Sequence, residues 1–294
     1  MWNRFLVRWL AALIAVGAMT PLAHADADDA DHRLLSVLDA DNPTPQRQSA
    51  FAYFQQRANA GNTYSQYVVG SLYRAGEHLP HGFVKRDPDE AARYLSNAAA
   101  HGYLSAMAKM AELELERGHP LDAMLWAQLY GHYTGAQKQA KGARNKANDY
   151  IADLLHRIYD RFDEAKMTEV DNDLNTFVAV HDADVRAGIK ANRQRYAGGI
   201  GKTKVLDLKF KAPPTDLARS RVDTLADYLV AFSADGSARQ AWLLDAVPDM
   251  RVGVELKTIA MSMRVNADPA ATETRYALLP VRLTYRSYSL RANP

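Results

Sequence analysis

Gly61-Asn62-Thr63-Tyr64-Ser65-Gln66-Tyr67-Val68-Val69-Gly70-Ser71-Leu72-Tyr73-Arg74-Ala75-Gly76 is the stretch that decides the fold. Its outline returns 41 residues later, from Gly102 through Tyr103-Leu104-Ser105-Ala106-Met107, then Ala111, Leu115 and Gly118. Between the two copies lies Asp87-Pro88-Asp89-Glu90-Ala91-Ala92-Arg93-Tyr94, followed by Asn97-Ala98-Ala99-Ala100-His101. A repeat of this length predicts an array of helix pairs, each burying its apolar face against the next. Asp before Pro at residues 87 and 88 is a helix start, the carboxylate capping and the proline occupying the first turn. Gly61, Gly76, Gly102 and Gly118 stand where helices should end.

Helical signals extend from about residue 46 to 189, and a capping extension is expected over 142–189, because the last apolar face of an array must be covered. The character changes at Tyr196-Ala197-Gly198-Gly199-Ile200-Gly201, a glycine-rich break. Two strand-like runs, 227–233 and 238–244, flank Ala234-Asp235-Gly236-Ser237, a hairpin signal. A short helix is expected over 249–259 and a closing strand over 276–290. Pro280 fits an edge strand. The fold class is therefore α+β. The expected organisation is a leader over 1–25, a flexible lead-in over 26–45 with one helix around Arg33–Asp39, a helical repeat unit over 46–197 and a small sheet unit over 198–294.

The first residues carry Arg4 and Arg8, residues 9–25 hold no charge, and the run closes on Ala23-His24-Ala25 before Asp26. That is the pattern of a cleavable export signal, with cleavage between Ala25 and Asp26. The uncharged run is short for a full crossing, which takes roughly 20 residues, so no stable membrane insertion is expected afterwards. The formal charge of the whole chain is +2. Without Arg4 and Arg8 the acids and bases balance, which argues against nucleic acid as a partner. There is no cysteine, which excludes disulfides, thiol nucleophiles and cysteine metal sites. The expected compartment is the periplasm.

The first repeat resembles the Sel1-like family, a relative of the tetratricopeptide repeats. Gly61, Gln66, Tyr67, Gly70, Tyr73 and Gly76 carry the likeness in the first helix, and Asp87, Ala91, Tyr94, Ala98, Ala99 and Gly102 in the second. A second, weaker copy keeps Gly102, Ala106, Gly118, Ala123 and Trp126. The loop from Gly76 to Asp87 is longer than the family usually carries and includes His78, Pro80 and His81. Residues 203–290 resemble the C-terminal domain of TonB-type periplasmic proteins, through Tyr228-Leu229-Val230-Ala231-Phe232, Asp235-Gly236, Ala241-Trp242-Leu243-Leu244-Asp245 and Leu279-Pro280-Val281-Arg282-Leu283-Thr284-Tyr285. No proline-rich spacer and no Tyr-Pro start accompany that likeness.

Chemical motifs are sparse. Gly201-Lys202-Thr203 lacks the upstream glycine of a phosphate loop, since Tyr196 holds that position. No G-x-S-x-G elbow or H-E-x-x-H pair occurs. The acidic group Asp26, Asp28, Asp29, Asp31 with His32 reads as a frayed terminus, and the group His181, Asp182, Asp184 as a solvated helix end, rather than as metal ligands. No catalytic, cofactor-binding or metal residue is expected. Partner contacts are expected at Tyr73, His78, His81, Arg282, Leu283 and Tyr285. Together these readings imply a non-enzymatic envelope protein that binds protein partners through a helical groove and a sheet edge. The alternatives are a TonB-type coupling accessory engaging an outer-membrane protein, and an envelope hydrolase.

Overall fold

A computed structural model describes residues 25–79, 81–135, 146–200, 204–205, 223–271 and 273–283. The fold is α+β, helical in its N-terminal part with a three-stranded antiparallel sheet after it. The helices are α1 (Ala25–Leu38), α2 (Thr44–Asn59), α3 (Thr63–Ala75), α4 (Pro88–Ala100), α5 (Leu104–Glu116), α6 (Pro120–Gly135), α7 (Lys146–Tyr159) and α8 (Met167–Ile200). Then follow β1 (Lys204–Val205), β2 (Thr224–Phe232), β3 (Ala238–Val247), α9 (Met250–Glu255), α10 (Lys257–Met261), β4 (Met263–Arg264) and β5 (Arg275–Leu283). Among the described residues no helix is long and apolar enough to cross a membrane.

The two similar stretches of sequence each open a helix of the same length. Helices α3 and α5 are both 13 residues long, and their first residues, Thr63 and Leu104, stand at the sequence offset of 41. Gly61 and Gly102 precede them at φ +89° and +82°, a conformation that glycine adopts without steric cost. The side chain of Asn62 caps α3 by accepting the amide N–H of Ser65 at 2.9 Å. Asp87 caps α4 by accepting the amides of Asp89 and Glu90 at 3.1 and 3.0 Å, satisfying donors that the first turn leaves free. Successive helices from α1 to α7 pack on their neighbours.

Helix α8 touches α4, α6 and β5. It can approach because Gly188 faces the turn after α4. A Cβ on Gly188 would run into the carbonyl of His101, and one on Gly102 into the backbone at Val185. Gly188→Ala is therefore expected to destabilise by about 1–3 kcal/mol through overpacking, read as a lower thermal midpoint. In an unobstructed helix the same change would stabilise by about 1 kcal/mol, so the sign alone decides.

Strand β2 is the centre of the sheet, with order β3-β2-β5. All nine of its residues are buried, because both faces are covered. Tyr228 donates its hydroxyl to the Gly253 carbonyl in α9. Asp227, one residue earlier and so on the opposite face, meets α3 and α5. The hairpin turn is at the expected Asp235-Gly236, with Gly236 at φ +83°. Strand β5 is an edge, and Pro280 lies on it opposite Asp227. Helices α1 and α8 also pack against β5.

Three expectations change. Residues 26–45, expected as a flexible lead-in with one helix around 33–39, are helical from the start, with α1 reaching back to Ala25 and α2 beginning at Thr44; Ala30, Leu34, Val37 and Leu38 give α1 a buried face. The glycine-rich break does not end the helical part at 197, since α8 continues to Ile200. Glycine costs a helix only about 1 kcal/mol per residue, which a 34-residue helix absorbs. The short helix expected over 249–259 is two, α9 and α10, meeting at Leu256. Residues 1–24 of the expected leader, and 284–290 of the expected closing strand, lie outside the described residues.

Candidate binding groove and the buried charge network behind it

The long loop between α3 and α4 shapes an open groove of about 460 Å³. Phe51 of α2, Tyr73 of α3 and Phe83 of the loop supply its aromatic wall, and Lys85 and Arg86 its basic rim. Phe51 meets Tyr73 edge-on at 5.7 Å and Phe83 at 6.0 Å between ring centroids, the arrangement that ring quadrupoles favour. Tyr73 is fixed from behind. Its hydroxyl accepts from Gln55 Nε2 at 2.8 Å, and its ring lies parallel to that of Tyr94 at 6.2 Å. Burial raises the Tyr73 phenol pKa, opposed by the Gln55 hydrogen bond.

The loop is braced at several points. Arg47 donates to the carbonyls of Val37 and His81 at 3.0 and 2.9 Å, and its guanidinium lies 4.7 Å from the centre of the Phe83 ring. Arg86 donates from its backbone to Glu77 at 2.7 Å, and from its guanidinium to Glu116 at 2.5 Å and to the Arg74 carbonyl at 3.2 Å. A groove held in shape before binding loses less conformational entropy when it is filled.

That Arg74 carbonyl leads inward to a network the sequence reading missed. Asp227 and Asp245 are direct cross-strand partners on β2 and β3, both buried. Like charges so placed repel, and two cations from the helices offset them. Arg74 of α3 holds both oxygens of Asp245 and donates to the Ala246 carbonyl. Lys109 of α5, wholly buried, reaches Asp227 at 2.7 Å, Asp245 at 3.1 Å and the Ser71 hydroxyl at 2.8 Å. Three acceptors thus meet the three ammonium protons. Tyr67 donates to Asp227 at 2.5 Å and stacks on Tyr103 at 3.8 Å. Burial and then the charge of Asp227 push the Tyr67 phenol pKa well above its ordinary value. For Arg74 burial is the largest influence and opposes the charge. Asp245, with Glu116 and Glu112, outweighs it and raises the pKa.

This network is neutral in sum and closed to solvent, so its chemistry is that of a clamp between helices and sheet. The signal for it was in the sequence. Lys109 interrupts the run from Ala106 to Ala111, and Asp227 and Asp245 sit beside uncharged strand runs, where an isolated charge is costly unless paired.

Of the residues expected to meet a partner, Tyr73 lines the groove, and His78 and His81 are exposed on its loop. The other repeat tyrosines, Tyr64, Tyr67, Tyr94 and Tyr103, are buried between elements. Arg282 and Leu283 are half-buried at the end of β5, remote in sequence from the groove. Arg282 lies near enough to Tyr130 of α6 to lower its phenol pKa, although burial of that phenol outweighs the effect and the net shift is upward. Tyr285 lies outside the described residues. Ala25 and Asp26 form the start of α1. In the acidic N-terminal group Asp31 pairs with Arg195 at 2.8 Å, and His32 packs edge-on against Tyr276. His181 packs on Phe177, and Asp182 pairs with Arg186. Comparison with protein-family models, with curated proteins and with solved structures finds no match to this chain.

Proposed function

We propose that this chain is a non-enzymatic interaction module of the cell envelope, exported by its N-terminal segment, that receives a segment of a protein partner in the groove between α2, α3 and the loop before α4. The reading takes α2 to α5 as a Sel1-like array and the sheet as a TonB-like unit. One observation carries it. Three half-buried aromatic rings, Phe51, Tyr73 and Phe83, together line a wall braced by Arg47, Gln55 and Arg86, beside a basic rim. Aromatic anchors in preformed pockets commonly carry most of an interface's affinity. The edge of β5 supports strand addition less well, because α1 and α8 already pack on that strand.

The test places a photo-crosslinking residue at Phe83, and for comparison at exposed Val254 on α9, in cells expressing the full chain. A discrete adduct at 83, absent at 254 and weakened about tenfold or more by Tyr73→Ala, is the expected result. Equal adducts at both positions, or an adduct at 83 indifferent to Tyr73→Ala, would contradict the groove as the site.

A further inference from the structure

We propose that Glu114, His119 and Asp122 form a binding site for a divalent transition-metal ion with the preferences of zinc, at the turn from α5 to α6. One ligand atom from each lies within 4.8 Å of the others. The three side chains converge from different places: Glu114 from the last turn of α5, His119 from the residue before α6, and Asp122 from the first turn of α6. Glu114 is buried, Asp122 half-buried and His119 exposed, so the cluster has a fixed floor and an open side.

The hydrogen bonds explain two of the three residues. Glu114 takes His119 Nδ1 on one oxygen at 2.8 Å and Arg117 on the other at 3.2 Å. Asp122 forms no hydrogen bond or ion pair among the described residues, yet its carboxylate sits against that of Glu114. Asp173 of α8 adds a third negative charge to its surroundings, opposed by His119 and Arg117. The local cation, Arg117, is shared with Asp89 at 2.6 Å. Two carboxylates brought together without a cation between them repel. The α6 dipole offsets about 0.3–1 kcal/mol of such a cost, whereas a divalent ion coordinated by both offsets it directly.

The donor set selects the ion. Imidazole with carboxylate oxygens suits zinc and its neighbours, while calcium and magnesium prefer all-oxygen sites. Three protein ligands leave a coordination position open on the exposed side. On binding, the ion would replace the hydrogen bond between His119 Nδ1 and one oxygen of Glu114, while Arg117 can stay on the other oxygen and on Asp89.

The experiment is calorimetric titration of the purified, chelator-stripped chain with zinc chloride and, separately, calcium chloride. Expected is one equivalent of zinc, with affinity lowered at least tenfold in both His119→Gln and Asp122→Asn, unchanged in His32→Gln, and at least tenfold weaker for calcium. Unchanged unfolding midpoints in chelator would show that the variants fold. Absence of zinc binding by the parent, zinc binding that survives both substitutions, or calcium bound as tightly as zinc would overturn the proposal.

Discussion

Lys109→Met is expected to cost about 3–5 kcal/mol of folding stability, the penalty for leaving a buried ion group uncompensated. The ammonium of Lys109 bonds to Asp227, Asp245 and Ser71, and lies 4.3 Å from the centre of the Tyr67 ring. Methionine fills most of the same volume, so the loss is one of charge rather than of packing. Two adjacent carboxylates then share Arg74 alone. At roughly 2–4 °C per kcal/mol for a chain of this order of size, the thermal midpoint should fall by about 10 °C. Lys109→Met combined with Asp227→Asn should recover part of the loss, because the second change removes the stranded charge. Urea unfolding of the parent, Lys109→Met, Asp227→Asn and the double variant checks both statements. An effect of Lys109→Met below about 1 kcal/mol would mean that the ammonium is not enclosed as described.

The second large effect lies at alkaline pH. Tyr67, Tyr130 and Tyr150 are completely buried, and burial is the leading cause that raises each phenol above its ordinary value of 10. In Tyr150 the charge of Glu112 adds to this, and the Tyr133 phenol is pushed up to about 12. Below pH 10 both folded and unfolded chains keep these protons, and stability is unaffected. Above it the unfolded chain loses them while the folded chain retains them, so stability falls as pH rises towards the folded values. Three such groups give a slope of about 4 kcal/mol per pH unit, enough to exhaust an ordinary stability of about 5–15 kcal/mol within roughly 1–4 units. Tyrosinate absorbance should therefore show a late group of phenols that ionise only as far-ultraviolet circular dichroism is lost. Ionisation of all 15 tyrosines near pH 10 in a folded chain would contradict this burial.

Much of the helical fold was legible because its signals are local. Glycine at 61 and 102, Asp87 before Pro88, and the spacing of Tyr67, Ala91 and Ala98 each act within a turn or two of their own position. Gly70, one of the residues that carry the Sel1-like likeness, lets α3 and α4 approach closely. A Cβ there would meet Leu95 Cγ of α4 at 2.8 Å. The hairpin was legible for the same reason, since Asp235-Gly236 sets its own turn. What sequence could not reveal depends on contacts across the chain. Asp227 meets Tyr67 from 160 residues away and Asp245 meets Arg74 from 171, so no window contains both partners. Only the second half of helix α1 was legible, because its early residues are acidic and packing on α2, β5 and α8 is what gives its buried face a use. Tyr73 was singled out, whereas the other groove rings, Phe51 and Phe83, converge on it only through the long loop. Glu114, His119 and Asp122 come together because Gly118 turns the chain between two helices, and their helix spacing alone does not display it.

The groove and the network are linked through one residue. Arg74 clamps Asp245 with its guanidinium and receives Arg86 of the groove rim on its carbonyl, so the sheet helps to support the binding surface. The core agrees, because buried side chains of the helices and of the sheet form one continuous cluster. Differential scanning calorimetry of the chain from Asp26 onward tests this most directly. One transition, with equal calorimetric and van't Hoff enthalpies, shifted as a whole to lower temperature by Lys109→Met, is the result the shared core predicts. Two separable transitions, one of them unmoved by Lys109→Met, would contradict it.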